Sequence, residues 1–495
     1  MMMKKIVFIL LWLVSGSFYA QDILEQAKSL NSEGKFNSSI KLLKTHFATH
    51  KDVNSFWLYG QTLHLAKKYR SAQEVYSEAV QKFPNNTYLK LDYATKLAEA
   101  QRFKKAIEIL KPFASVKGNE QFFATKELAR IYLWQGKYDL AKETIDKALA
   151  INFSDNDALK IAEEITIIQK NWAGLDISNF SDDQPQKRFS PKAEVGFYIN
   201  DMLSVGISAD AISYNADNIT SSKIGGSAFA NFNLHPITAT SKIALGLDKL
   251  PSGESAINAS FLFSKRLTKC LNVEVSTSYK PYLLTNVSLQ EKLMKTQYGA
   301  ALVLNHPLGF NGRLLYDVNN FPSDKNGYIT KGGWLLSPQL KVSIFELSAG
   351  YGYNYSNATE SNFVSKESLN TILSSWTPGL EINGYYNPFF TPINQTIHSV
   401  IGVLGINLTK DIKFGTTISY GFKSETDNPY LFLDNKNSET VIATKYESMK
   451  FSPLNVDLNL GYKVLKDLSL NVYYKYQKAN FYKSNLIGVK INYLF

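Results

Sequence analysis

Six histidines, a single cysteine and a scatter of serines and carboxylates are the residues of this chain that could do chemistry. His46 and His50 stand four apart, which puts both on one helix face at the spacing of paired metal ligands. No Glu follows His46 and no third ligand is evident, so the metallopeptidase arrangement is absent. His235-Pro236 and His306-Pro307 read as turns. His398 and Ser399 are adjacent, and adjacent strand residues face opposite ways, so they cannot serve as base and nucleophile. The chain has no phosphate loop, no G-x-S-x-G and no nucleotide fingerprint. Cys270 stands alone, which leaves neither an intramolecular disulfide nor a Cys-based metal site. The residues therefore predict no enzyme, no cofactor and no metal centre.

The formal charge of +11 is spread along the chain. Nothing forms the concentrated basic stripe that nucleic-acid binding requires, so no nucleic-acid partner is expected. At the N-terminus, Lys4 and Lys5 precede an apolar run from Ile6 to Val14, and Ala20 follows as a cleavage point. That layout predicts a secretory signal peptide over residues 1–20, since the run is too short to span a bilayer as a helix.

Two periods organise the rest. In "FWLYGQTLHLAKKYRSAQEVYSEAVQKFPNN", Gly60, Tyr69, Ala72, Tyr76, Ala79 and Pro84 fall at helical-hairpin spacing. Further on come Ala94, Phe103, Ala106 and Leu110, then Ala129, Gly136, Tyr138, Ala141, Ile145 and Ala148. A degenerate earlier copy holds Gly34, Phe36 and Ser39. Ser39, Ala72, Ala106 and Ala141 recur 33, 34 and 35 residues apart. Small residues at Gly60, Ala72, Ala79, Ala106, Ala129, Ala141 and Ala148 would let paired helices approach closely, with aromatics filling the gaps. The pattern resembles the tetratricopeptide repeat family, with about four copies and a cap helix over residues 157–170. The resemblance implies a concave surface for a protein partner. Trp57 and Trp134 are expected to pack rather than to bind.

After Trp172 the period becomes two. Leu454, Val456, Leu458, Leu460 and Tyr462 alternate with Asn455, Asp457, Asn459 and Gly461, and Leu468 to Gln477 and Ile412 to Phe422 do the same. Similar runs occur near 192–215, 222–250, 255–283, 295–321, 328–356 and 369–408. Such segments are long enough to cross a bilayer as tilted strands. Short connections at 268–269, 409–411 and 466–467 alternate with long polar ones, "NYSNATESNFVSKES" and "KSETDNPYLFLDNKNSETV". Long loops on one side and short turns on the other predict an outer-membrane barrel of 16 strands, or of 18 if "AGLDISNF" pairs with "FSPKAEVGFYIN". The fold class is thus a multidomain α + β chain. An all-α solenoid (21–172) precedes an antiparallel transmembrane β-barrel (173–495).

If the apolar face meets lipid, Asp457, Asn459, Lys463, Asn471, Tyr473, Lys475, Lys490 and Asn492 line the lumen, a mixture suited to a hydrated path for a polar solute. The closing "SNLIGVKINYLF" resembles the C-terminal strand read by the barrel-assembly machinery, with Tyr493 and Phe495 as its aromatics. Repeats followed by a barrel resemble the exopolysaccharide export porins, of the cellulose and poly-N-acetylglucosamine type. The matching motif is Gly384, Tyr385, Tyr386, Asn387 and Pro388, which in that group opens a strand pair. That resemblance implies a protein of the bacterial outer membrane whose repeats lie in the periplasm and bind a partner there, and whose lumen passes a polysaccharide. The competing expectation is a non-conducting anchor whose repeats recruit envelope proteins.

Overall fold

The computed structural model describes residues 23–495 except 184–185, 217–218, 324–325, 376–381, 437–438 and 481, so the expected signal peptide lies outside the described residues. The chain divides into two compact units, one ending at Ile168 and one spanning Gln169–Phe495.

The first unit is entirely helical among its described residues. Helix α1 (residues 23–32) is followed by α2 (Phe36–Phe47), α3 (Val53–Leu65), α4 (Tyr69–Lys82) and α5 (Thr87–Glu99). Then come α6 (Phe103–Ala114), α7 (Asn119–Trp134), α8 (Tyr138–Ile151) and α9 (Asn156–Ile168). Caps set the starts of α3 and α5: Asp52 accepts from the amides of Asn54 and Ser55, and Asn86 from that of Leu89. Within each hairpin the turn requires one left-handed residue. Gly34 and Gly136 supply it freely, while Lys67 (φ 60°) and Gln101 (φ 61°) adopt it against their side-chain preference.

Small residues hold the hairpins together. Ala79, Ala106, Ala129, Ala141 and Ala148 are wholly buried and Ala72 nearly so. Gly60 lies directly under Tyr76, whose hydroxyl donates to Asp92. Burial pushes the Asp92 carboxyl up from its ordinary value, against the Tyr76 hydrogen bond that favours the carboxylate. A Cβ on Gly60 would sit 2.7 Å from the Tyr76 ring. Gly60→Ala should therefore destabilise the unit by about 1–3 kcal/mol, the usual range for overpacking a core. Because repeats contact chiefly their neighbours, a fragment of residues 22–172 should fold alone. Thermal circular dichroism of that fragment tests both statements. An unfolded fragment, or an unchanged melting temperature in the variant, would contradict them.

The second unit is a barrel. Its strands are β1 (Trp172–Asp182), β2 (Gln186–Asn200), β3 (Leu203–Ala216), β4 (Ile219–Leu234), β5 (Ala239–Lys249), β6 (Ser255–Arg266) and β7 (Leu271–Pro281). They continue as β8 (Met294–Asn305), β9 (Asn311–Phe321), β10 (Asn326–Leu336), β11 (Leu340–Val342), β12 (Phe345–Ala358), β13 (Phe363–Ser365), β14 (Gly384–Tyr386) and β15 (Gln395–Asn407). The last are β16 (Ile412–Lys436), β17 (Glu439–Lys450), β18 (Leu454–Leu465), β19 (Leu468–Lys478) and β20 (Lys483–Leu494). β1 pairs antiparallel with both β2 and β20, which closes a ring of sixteen strands. β11 and β17 pair only with β12 and β16 and stay outside the ring, and β13 with β14 makes a separate two-stranded sheet.

Two segments fold otherwise than their composition suggests. The stretch 369–408 contributes one barrel strand, β15, because Pro388 and Pro392 offer no amide to a ladder. The β1–β2 pairing, the route to eighteen strands, is present and makes good that loss, so the count stays at sixteen. The second "polar loop", 423–441, is instead a hairpin in which β16 runs on to Lys436 and β17 returns. Leu431, Leu433 and Ile442 bury one face of it against Ile372 and Ile382.

A single contact identifies the inward face. Tyr214 of β3 packs against Leu283 and Leu289, which lie in the connection leaving β7. Strands four places apart can meet only through side chains turned to the barrel axis. Register carries that face round the wall: Tyr214 pairs with Arg188, Arg188 with Phe180, Phe180 with Leu486, Leu486 with Lys475, and Lys475 with Asp457. The other face carries exposed apolar side chains such as Ile207, Leu245, Leu314 and Val400. Apolar outside and polar inside, with tilted strands of this length, is the construction of a transmembrane barrel of the outer-membrane type. The exposed apolar residues continue into the short turns (Met202, Leu267, Leu308, Leu408 and Leu465), so the apolar band reaches that rim.

Candidate functional site

The interior wall is the one extended polar surface that the barrel encloses, and register places the candidate residues on it. Asp457 faces Lys475 across β18–β19, with their charged atoms 4.0 Å apart. Asn459 pairs with Tyr473, and Lys463 stands at the short-turn end of the same row. Asn471 pairs with Lys490, and Lys490 with Asp176 of β1. Tyr493 and Phe495 occupy the opposite, outward face, their rings stacked with centroids 6.0 Å apart. The Phe495 backbone exchanges hydrogen bonds with Asn171 (3.0 and 2.9 Å), pinning the last residue beside the first strand.

Tyr473 does not project into the channel. Its ring lies over Gly488 of β20, where a Cβ would be 2.4 Å away, and its hydroxyl donates to Asp176 at 2.7 Å. Two other rings repeat the device. Trp172 covers Gly196 and Phe229 covers Gly206, so closely that a Cβ on either glycine would fall 2.0 and 2.3 Å from the respective ring. Register joins these four as one row, Trp172–Gly196–Gly206–Phe229, and the two ring centroids are 6.3 Å apart. Sequence reasoning missed this row. The available signal was a glycine inside each alternating strand, which marks a close approach by another group.

Some interior charges are paired. Lys223 lies between Asp210 (2.6 Å) and Asp248 (2.7 Å), and Asn258 donates to Asp248 at 2.7 Å. Arg313 meets Glu274 at 2.7 Å. Such pairs, on a wall that also carries hydroxyls and amides, hold water along the surface.

At the loop end a packed layer covers part of the mouth. The β7–β8 connection carries the short helix α10 (Asn286–Gln290), whose N-cap Thr285 donates its hydroxyl to the Pro388 carbonyl at 2.6 Å. Phe389 stacks on Phe321 with centroids 3.5 Å apart, and Tyr282 meets both rings edge-on. Leu293 and Tyr328 complete that cluster. Beyond it, helix α11 (Leu369–Ser375) packs through Ile372 on the β16–β17 hairpin. The layer thus reaches from β3 round to β16. Gly384, Tyr385 and Tyr386 form β14 within it rather than opening a pair of barrel strands, and Asn387-Pro388 leads into Phe389.

Three of the histidines are held in ring contacts and hydrogen bonds. His46 and His50 stack with centroids 4.3 Å apart, and His46 Nε2 is 3.1 Å from the Ser55 hydroxyl. His398 shares a hydrogen bond of 2.6 Å with the Tyr351 hydroxyl on the outward face. Among the described residues no three His, Cys, Asp or Glu side chains group to hold a metal. In the helical unit, Trp57 is half-buried in a core cluster, whereas Trp134 and Tyr88 are exposed.

Residues 63–120 match the family model described as tetratricopeptide repeat. No curated protein matches the chain. Among solved structures, the barrel is similar to one titled bacterial polysaccharide outer membrane secretin, with 8% identity and a TM-score of 0.47, covering 66% of this chain and 99% of that one. It is also similar to OccK3 (OpdO) of Pseudomonas aeruginosa, with 12% identity and a TM-score of 0.33 over 66% of this chain and 95% of that one. The helical unit is similar to MamA of Desulfovibrio magneticus RS-1, with 15% identity and a TM-score of 0.26 over 30% of this chain and 84% of that one. The chain is a helical region that matches tetratricopeptide repeats over residues 63–120, followed by a closed sixteen-strand antiparallel barrel.

Proposed function

We propose that the barrel is a conduit for a polysaccharide or other polar polymer, and that the repeats dock a periplasmic protein serving that traffic. The observation that carries the reading is the set of aromatic rings held close against glycines of the interior wall. A ring lying along the wall offers a face to a passing sugar ring without obstructing the path, and the paired charges around it keep the path wet. In this reading the short turns and both ends of the barrel chain face the periplasm, the loop layer faces outward, and lipid and the assembly machinery are the barrel's other partners. No catalytic step is assigned to it.

Planar-bilayer recording with linear oligosaccharides tests the proposal. Each stacking contact is worth roughly 1 kcal/mol by analogy with aromatic pairs, so Trp172→Ala should shorten current-blocking events about fivefold. Gly196→Ala should do the same by lifting the ring, while Trp172→Phe should lose less. Blocks of equal duration in all variants would remove the support for a sugar track.

The loop layer favours a second reading, a barrel closed at one end that anchors the repeats. That reading expects no current from the intact chain and no export phenotype from any interior substitution.

A further inference from the structure

Arg188 is the most conspicuous side chain that the conduit reading leaves unused. It projects inward from β2 near the loop end, and its guanidinium lies 3.7 Å from the centroid of the Phe180 ring. It forms no ion pair with a described residue, and its Nε is buried without a hydrogen-bond partner. Asp182 lies within electrostatic reach of Arg188 but makes no ion pair with it, and it accepts from the Gln186 amide at 2.8 Å. The residue paired with Arg188 on β3 is Tyr214, which is 1% exposed and whose hydroxyl also lacks a partner. Tyr282 and Tyr482, from two other connections, lie within electrostatic reach of the same guanidinium.

Buried donors are ordinarily satisfied, and an unpartnered buried guanidinium Nε beside an unpartnered buried phenol is an unusual pair of donors without acceptors. Elsewhere on this wall, Lys223 and Arg313 each meet a carboxylate at 2.7 Å or less. We infer that Arg188 and Tyr214 form a binding site for an oxyanion at the loop end of the lumen, and that its ligand is a carboxylate. The planar fork of Arg188 suits the two oxygens of a carboxylate, and Phe180 holds the fork in one plane. The carboxylate comes either from an acidic sugar unit of a polymer or from a free organic acid. This site stands whether or not the barrel conducts, because it requires occupancy and not passage.

Isothermal titration of the detergent-solubilised full chain tests it with three probes: trigalacturonate, maltotriose and sodium acetate. Trigalacturonate should bind at least tenfold more tightly than maltotriose. Arg188→Gln should abolish that preference, and Arg188→Lys should restore only part of it. Tyr214→Phe removes just the unpartnered hydroxyl, so it should fold normally and weaken binding several-fold. This variant keeps the test decisive if Arg188→Gln fails to assemble. Acetate binding as tightly as trigalacturonate, and lost in the same variants, would identify a free acid as the source. Equal affinity for the charged and neutral trisaccharides, or wild-type affinity in Tyr214→Phe or in an assembled Arg188 variant, would overturn the inference. Loss of oligosaccharide blocking with carboxylate binding retained would instead count against the conduit alone.

Discussion

Val489→Arg is expected to abolish barrel assembly, whereas Lys490→Gln one residue later should leave it intact. Val489 pairs with Val472 and Ile177 on the outward face, while Lys490 pairs with Asn471 and Asp176 inside. An arginine facing lipid near mid-bilayer costs roughly 2–4 kcal/mol, and an interior amide in place of an ammonium exposes nothing apolar. The effect on yield should exceed that figure, because β20 closes the ring and cannot dock in part. Removing Phe495 should also impair assembly, through loss of the Tyr493 stack and of the paired backbone bonds to Asn171. The measurement is the fraction of membrane-extracted protein that migrates anomalously in unheated gels. Equal yields from the two substitutions would mean that the faces have been exchanged.

Replacing residues 283–292 by a short glycine-serine turn should raise single-channel conductance several-fold without lowering the amount of assembled barrel. The segment contributes Leu283 and Leu289 to the contact with Tyr214, and Thr285 to the bond with Pro388. Its removal takes the Thr285 anchor from the Pro388 carbonyl and frees the arc between β3 and β8, while Phe389 keeps its contacts with Phe321, Tyr282 and Leu293. Phe389→Ala should give a smaller change in the same direction. A barrel that carries no current even after both changes would be an anchor. A barrel whose current is already large and does not change would show that the layer leaves the mouth open.

What could be read from the chain beforehand follows the range of the interactions involved. Helical spacing and strand alternation are local, so the repeats and the strands were legible. The left-handed residues were half-legible: Gly34 and Gly136 announce their turns, but Lys67 and Gln101 do the same work in disguise. Contacts set by register were hidden. Tyr473 reads as a projecting ring until Gly488 and Asp176 are known to lie beside it, and these are respectively 15 and 297 residues away in sequence. Arg188 sits in "SDDQPQKR", whose composition announces a loop, yet β2 already begins at Gln186. The β16–β17 hairpin was concealed likewise, because "PYLFLD" is flanked by polar residues and its apolar face is covered by residues some fifty to seventy positions earlier.

The seam between β1 and β20 has a kinetic consequence. Trp172 is matched to Leu494, so the contact that completes the cylinder spans essentially the whole second unit. Closing so large a loop is entropically slow, and until it happens the sheet has two raw edges whose amides cannot be satisfied in hydrocarbon. No partial barrel is therefore a stable resting point, and insertion should be all-or-none and dependent on a catalyst that shields those edges. The same ring has no privileged starting strand. A circularly permuted chain, with Asn171 and Phe495 joined and new ends placed in the 201–202 turn, should yield the same cylinder by a different order of events.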